Sequence, residues 1–203
     1  MIINIIIIAL ITNISHAKEI TGACISNGDI NQCQWNYNTI TKKLIISGNG
    51  EMPDYQSETE IPYKQYKDEI EIVVLHEGIT SVSQYSFSGL SHLKLFQYDG
   101  SNDINECNEN AFINTPLELV VVNKNYQSNS FCSKSIFITS GECGNQCYYN
   151  LSEDNTQLHI YSPYGNERIE YTTFDKYKET INQLKIMYQL GNEDRQFIQS
   201  SLN

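Results

Sequence analysis

Positive charge is scarce in this sequence of 203 residues, which has 13 Lys and Arg against 24 Asp and Glu and a formal net charge of -11. An acidic chain gains nothing from phosphate backbones or anionic lipid head groups, because both repel it. The composition therefore disfavours nucleic acids and membrane surfaces as partners.

Long apolar runs are missing after the N-terminus, and none there reaches the roughly 18 residues that a membrane-spanning helix needs. The sequence therefore predicts no membrane insertion. Residues 2–11 are mostly apolar but too short to cross a bilayer, and small side chains follow at Ser15 and Ala17, just before Lys18. This pattern predicts a signal peptide over residues 1–17 and a secreted mature chain. A buried strand or helix at residues 2–11 is the weaker alternative, because no turn signal accompanies the run.

Histidine is rare as well, with four in the sequence, and no Gly-x-Ser-x-Gly motif accompanies them. A nucleophilic enzyme needs a Ser or a free Cys beside a His that a third group orients. We therefore predict no catalytic residues, no enzyme activity and no cofactor. A secreted enzyme is kept as an alternative, and it requires an unpaired Cys or a Ser–His contact in the structure.

The patterns that suggest metal ligands are incomplete. Cys143, Cys147 and His159 supply three candidate zinc ligands without a fourth at regular spacing. Residues 99–106 place oxygen atoms at alternate positions, as a calcium loop does, but Ile104 stands where the sharp turn needs Gly. The sequence therefore predicts no metal site.

Six cysteines are present, an even number in a chain that is expected to enter an oxidising compartment. Three disulfides are therefore predicted. Cysteine count alone leaves many connectivities open. The internal repeats of the chain select one of them.

Two stretches of the chain repeat each other, because residues 33–46 match residues 147–160 at a constant shift of 114. The match includes the aromatic residues that follow the cysteine and the apolar positions further on. We interpret residues 18–69 as an N-terminal β-rich module and residues 141–203 as a degenerate second copy of that module.

A shorter period of 25 residues occupies the stretch between the two copies, residues 70–140. It relates three sets of positions: Val82, Tyr85 and Phe87; Cys107, Asn110 and Phe112; and Cys132, Ser135 and Phe137. Periods of roughly 20 to 29 residues with recurring leucines are typical of leucine-rich-type solenoids, in which neighbouring repeats bury each other's Leu and Phe side chains. We therefore predict repeats of this type here.

The repeats also assign the disulfides. Cys107 and Cys132 hold the same position in adjacent repeats, and equivalent residues of stacked strands lie about 4.8 Å apart, within reach of a disulfide. The other two bridges are predicted inside each copy of the duplicated module, which preserves the same local pair twice. These pairs are Cys24–Cys33 and Cys143–Cys147.

The predicted fold class is mainly β, or β-rich α/β, with a short leucine-rich-type solenoid flanked by two related β-rich modules. Strands are predicted where apolar residues alternate or run together, at residues 33–37, 44–47, 70–75, 93–98, 117–122, 135–139, 158–161 and 184–188. Short helical turns are predicted at residues 63–70 and 174–181, where Tyr and Ile fall at helical spacing.

The most distinctive motif of the chain is Ile46-Ser47-Gly48-Asn49-Gly50-Glu51-Met52-Pro53-Asp54-Tyr55. Further motifs are Trp35-Asn36-Tyr37-Asn38, Pro62-Tyr63, Glu77-Gly78-Ile79-Thr80-Ser81-Val82 and Asn110-Ala111-Phe112. Together they resemble the BspA-like leucine-rich-repeat (type 5) secreted or surface proteins of anaerobic protists and bacteria. The resemblance covers nearly the whole mature chain and implies extracellular display and adhesion-like binding without known catalysis. It does not imply a ligand.

Tyrosine is abundant, with 14 in the sequence, and four of them lie close together: Tyr161, Tyr164, Tyr171 and Tyr177. We considered two interpretations, a tyrosine-rich binding face and a mixture of core and surface residues, and favour the second. Asn150 begins the motif Asn150-Leu151-Ser152, a candidate acceptor for glycosylation.

The predicted function is recognition of an extracellular or surface protein by a secreted, non-catalytic leucine-rich-repeat protein. The alternative is an extracellular carbohydrate-binding module. That alternative predicts an exposed planar pair of Trp or Tyr side chains beside Asp and Asn.

Overall fold

The computed structural model describes residues 18–25, 28–102, 104, 106–152, 157–165, 168–170, 172–174, 183–187 and 198–200. The predicted signal peptide, residues 1–17, lies outside this part of the chain, as does most of the predicted helical turn at residues 174–181. Among the residues described, no helix has the length and apolar character needed to span a membrane.

Strands dominate the described residues, which confirms the mainly β class. Strands β1–β15 span Glu19–Ala23, Gln34–Asn38, Lys43–Ser47, Gly50–Glu51, Ile72–Leu75, Ile79–Val82, Leu95–Tyr98, Glu106–Cys107, Leu119–Asn123, Ser135–Thr139, Gly141–Gly144, Cys147–Leu151, Gln157–Tyr161, Gln183–Met187 and Ile198–Ser200. A short 3-10 helix at Lys64–Tyr66 lies inside the predicted helical turn at residues 63–70.

The largest sheet has seven strands in the order β1-β2-β3-β5-β7-β9-β10. β1, β2 and β3 are antiparallel neighbours, and β3, β5, β7, β9 and β10 run parallel to one another. Parallel neighbours require a crossover through the rest of the fold. The segments between these strands therefore return over one side of the sheet, where the main core lies.

Alternating strand residues point into this core, as the pleat of a strand requires. Val73 and Leu75 of β5, Phe96 and Tyr98 of β7, and Val120 and Val122 of β9 are all buried in it. Phe87, Phe112 and Phe131 approach from the connecting segments, and Phe96 contacts all three, with ring centroids 4.9, 5.0 and 5.5 Å away. Aromatic contact thus joins β7 to the segments that connect the parallel strands.

The third repeat departs from the predicted period. Phe87 and Phe112 stack with centroids 5.2 Å apart, but Phe137 lies on β10, outside the main core, so its predicted equivalence to them is wrong. The connection has shortened: Phe96 pairs with Val120, 24 residues on, whereas Leu119 pairs with Ser135 after only 16. The shortening moves Phe137 onto the strand.

A second sheet, β4-β6-β8, is parallel throughout and lies across the core from the seven-stranded sheet. Ile79 and Val82 of β6 are buried in the same apolar cluster as the inner residues of the seven-stranded sheet. Val82 pairs with Cys107 and Ile79 with Gly50, so each strand stacks on its neighbour in the next repeat.

The C-terminal sheet, as we call β11–β15, has five strands in sequence order. It packs one face on an apolar cluster of its own that includes the Cys143 and Cys147 side chains, Leu158 and Ile160. It begins directly after β10, with Ser140 as the only residue between the two strands.

Candidate functional site

The structure joins the six cysteines in three disulfides, Cys24–Cys33, Cys107–Cys132 and Cys143–Cys147, with Cα–Cα distances of 5.4, 5.2 and 5.0 Å. These bridges are compatible with an extracellular protein. Within the described ranges, no cysteine is free and no group of three or more His, Cys, Asp or Glu is placed to hold a metal ion. The candidate zinc pair, Cys143 and Cys147, is consumed by its disulfide.

The outer face of the seven-stranded sheet, which points away from the main core, is apolar and buried. Its side chains are Ile72 and Val74 of β5, Leu95 of β7, Val121 of β9 and Phe137 of β10. All five are less than a tenth exposed, because the C-terminal sheet covers them. The strand face of the repeats is therefore not an open surface in this conformation.

Tyrosines of the C-terminal sheet make this contact. The Tyr148 hydroxyl donates a hydrogen bond of 2.8 Å to Gln97 Oε1, and the Tyr161 ring lies 5.6 Å from that of Phe137. Lys94 Nζ lies 5.2 Å from the centre of the Tyr164 ring. Burial raises the pKa of all three phenols, so they remain neutral.

Two of the four tyrosines in the stretch that the sequence singles out can be placed in the structure. Tyr161 and Tyr164 pack at the contact between the sheets, whereas Tyr171 and Tyr177 lie outside the described residues. Sequence analysis missed the covered face, although a signal was present. The runs Ile72–Leu75 and Leu119–Asn123 are almost continuously apolar, a pattern typical of strands buried on both faces.

Removing the Tyr148 hydroxyl tests the polar part of this contact. We expect Tyr148→Phe to lower the free energy of unfolding by about 0.5–1.5 kcal/mol, because Gln97 then loses its buried donor. Urea denaturation of the oxidised protein measures the change. Tyr149→Phe is the matched control, because the Tyr149 hydroxyl makes no hydrogen bond within the described residues, and an equal loss in both variants would contradict the assignment.

The candidate glycosylation site, Asn150, lies within β12, between β11 and β13. Its side-chain amide donates a hydrogen bond of 2.8 Å to the Ile138 carbonyl on β10. The amide nitrogen that would carry a glycan therefore faces the edge of the seven-stranded sheet. In this conformation Asn150 serves the contact between the two sheets.

A cleft of about 920 Å³ opens along the β4-β6-β8 sheet, in the size range of ligand sites. The disulfide loop between Cys24 and Cys33 forms one wall. The strands contribute the floor, and residues 49–54, from the Ile46–Tyr55 motif, form the second wall. The polar residues that line it include Asp29, Glu51, Asp54, Glu106, Asn49, Asn108, Thr80, Ser81 and Ser83.

Glycines and one buried tyrosine hold the walls together. Gly48 has a φ of 143°, and a Cβ atom there would collide with the Gln32 carbonyl, so the turn and the disulfide loop meet backbone to backbone. The Asn49 amide donates a hydrogen bond of 2.9 Å to the Asn31 carbonyl. The Tyr55 hydroxyl donates another, of 2.7 Å, to the Cys24 carbonyl. These contacts fix the shape of the cleft.

Negative charge dominates the cleft. Asp29, Glu51, Asp54 and Glu106 line it, all four are exposed, and no Lys, Arg or His lines it with them. None of the four forms an ion pair within the part of the chain that the structure describes. Clefts lined by one sign of charge concentrate counter-ions and oppositely charged groups. The site therefore favours cationic ligands.

Ile25, which lines the cleft, adds apolar surface and is 54% exposed. Ile30 of the same disulfide loop is 46% exposed but does not line the cleft. Sequence analysis did not single out this cleft, because its residues come from four separate stretches of the chain. The one available signal was the length of the Cys24–Cys33 loop, which exceeds that of the Cys143–Cys147 loop.

Comparison with known proteins gives one structural likeness. The structure resembles a crystal structure of a leucine-rich repeat protein from Eubacterium ventriosum, with 17% sequence identity and a TM-score of 0.36. The match covers 70% of this chain and 48% of that protein, so the chain spans about half the length of its neighbour. No family model and no curated protein sequence matches the chain.

Proposed function

We propose that this chain is a secreted, non-catalytic recognition protein of the leucine-rich-repeat type, and that the acidic cleft binds a basic segment of an extracellular protein. The period of 25 residues and the parallel strands of the two facing sheets support the solenoid part of this proposal. The cleft supports the binding part.

The observation that carries the proposal is the combination of charge and shape in the cleft. Four carboxylates line a concavity of about 920 Å³, and Ile25, which is 54% exposed, lines it with them. Lys and Arg side chains match the carboxylates, and apolar side chains match Ile25. A protein segment that alternates the two kinds of side chain fits this surface.

The lining argues for protein over carbohydrate. Sugar rings stack on exposed planar aromatic side chains, and none of the residues lining the cleft is aromatic. Tyr148 and Tyr161 are buried between the two sheets and are not available for stacking. The observed geometry therefore gives the carbohydrate-binding alternative no aromatic platform at this site.

Biosensor binding of the oxidised chain to a lysine-rich synthetic peptide and to a panel of extracellular-matrix proteins tests the proposal. We expect binding that weakens with added salt, because exposed charges are screened. The double variant Glu51→Lys, Glu106→Lys should weaken binding by about tenfold, since each exposed charge pair contributes about 0.2–1 kcal/mol and the reversed charges repel.

The matched control is Glu60→Lys, Glu142→Lys, which changes the net charge equally at exposed positions outside the cleft. Its binding should stay close to that of the unchanged chain. Equal weakening in both double variants would show that binding depends only on net charge, and it would overturn the cleft as the binding site. Binding to a glycan array with silence on every protein and peptide would overturn the proposal in favour of the carbohydrate-binding alternative.

A further inference from the structure

The C-terminal sheet has two chemically different faces, because neighbouring residues of a strand point to opposite sides. On β12, Cys147, Tyr149 and Leu151 pack on the sheet's own cluster, and Leu158 and Ile160 of β13 join them. The alternate positions, Tyr148 and Tyr161, point to the seven-stranded sheet instead. The side chains that build the C-terminal sheet are thus separate from those that dock it.

The apolar side chains form three distinct clusters. One fills the space between the seven-stranded sheet and the β4-β6-β8 sheet, a second belongs to the C-terminal sheet, and the third lies where the C-terminal sheet covers the outer face. The seven-stranded sheet and the C-terminal sheet therefore each have a core that does not depend on the contacts of the third cluster. The third cluster has the composition of an interface, with tyrosines facing aliphatic side chains.

The covalent connection at this interface is short. Ser140 alone separates Thr139, at the end of β10, from Gly141, at the start of β11. Every other contact across the third cluster is non-covalent. A second copy of the chain therefore offers the same set of contacts: the Tyr148 hydroxyl for Gln97, the Tyr161 ring for Phe137 and the Tyr164 ring for Lys94.

We propose that the outer face of the seven-stranded sheet is a self-association surface, on which the C-terminal sheet of a second copy replaces the chain's own, so that two copies join by reciprocal exchange. Exchange of an identical element preserves every native contact except those at the hinge, which makes it a low-cost route to a dimer. The occupant is a second copy because its tyrosine face already complements this surface.

Burial of the outer face favours exchange over simple opening. Leu95 and Val121 are 1% and 0% exposed, and undocking the C-terminal sheet would present them to water together with Ile72 and Val74. A contiguous apolar patch of this kind drives association. The opened state is therefore short-lived, and it closes on its own C-terminal sheet or on that of another copy.

Two complementary variants of the full chain test the exchange. Tyr148→Ala, Tyr161→Ala removes the tyrosine face but keeps the outer face. Val121→Asp places a charge in the outer face but keeps the tyrosines. Neither variant alone can pair an intact outer face with an intact tyrosine face. Light scattering should therefore show a discrete heterodimer of about twice the monomer mass only in their mixture, where one intact outer face meets one intact tyrosine face.

Two results would overturn the proposal. The first is a mixture that stays monomeric although both variants retain a cooperative unfolding transition. If either variant fails to fold, the unchanged chain is instead refolded from urea over a range of protein concentrations, with its disulfides intact. The second contradicting result is a refolded product that is monomeric even at the highest concentration. None of the exchange residues lines the acidic cleft, so peptide binding by the cleft is unaffected by either outcome.

Discussion

Replacing Phe96 with alanine is expected to lower the free energy of unfolding by about 3–5 kcal/mol, the usual loss when a buried Phe becomes Ala. Phe96 is fully buried, and its ring contacts those of Phe87, Phe112 and Phe131. The substitution leaves a cavity where three repeats meet, and the surrounding strands can close it only in part. For a chain of this length, the loss corresponds to roughly 6–20 °C in Tm.

Urea and thermal unfolding of the oxidised protein measure this loss. Ile113→Ala is the control: it also removes a large apolar side chain, but one that is 41% exposed, and its effect should stay within about 0.5 kcal/mol. Comparable losses in the two variants would contradict the central position of Phe96. A loss below about 1 kcal/mol for Phe96→Ala would do so as well.

The second large effect is expected at Gly48. Gly48→Ala should cost about 2–4 kcal/mol, because the residue has a φ of 143° and the added Cβ meets backbone atoms, including Cys33 Cα at 2.9 Å. Those atoms belong to the loop closed by the Cys24–Cys33 disulfide, so they cannot shift without deforming the cleft wall. We therefore expect weaker binding of the lysine-rich peptide along with the lower stability.

Gly50→Ala separates the effect of a deformed cleft wall from simple steric blocking of the cleft. The nearest atoms to a Cβ at Gly50 are Gln32 Cβ at 3.3 Å and the Gln32 carbonyl oxygen at 3.4 Å. These distances are short but far less severe than those at Gly48, so the change should cost less than about 1 kcal/mol. Gly50 also lines the cleft, so a loss of peptide binding in both variants with normal stability in both would indicate steric blocking. That pattern would contradict a positional role for Gly48.

The sequence predicted where apolar side chains are buried better than where strands begin. Ile70, Leu93 and Leu117 were each predicted to open a strand, but β5, β7 and β9 begin two residues later, at Ile72, Leu95 and Leu119. All three side chains are buried all the same, in the segment that precedes the strand. An apolar side chain indicates burial, and the residues before the strand are buried as well as the strand itself.

Short strands and long-range surfaces were beyond sequence reasoning for a different reason. β4 and β8 are two residues each, and Glu106–Cys107 carries no apolar alternation, so only stacking of adjacent repeats makes it a strand. The acidic cleft depends likewise on the loop at residues 24–33 meeting three strands that are distant in the chain. No local pattern encodes that meeting.

The single residue between β10 and β11 also determines the protein concentration at which self-association can compete with closure of the chain on itself. A tether this short holds the C-terminal sheet at a local concentration on the order of millimolar, against which sheets from other copies must compete. Dilute copies in free solution would therefore stay closed on themselves. Copies crowded together on a surface would approach that concentration, and the same contact that stabilises one molecule would then link neighbours into pairs.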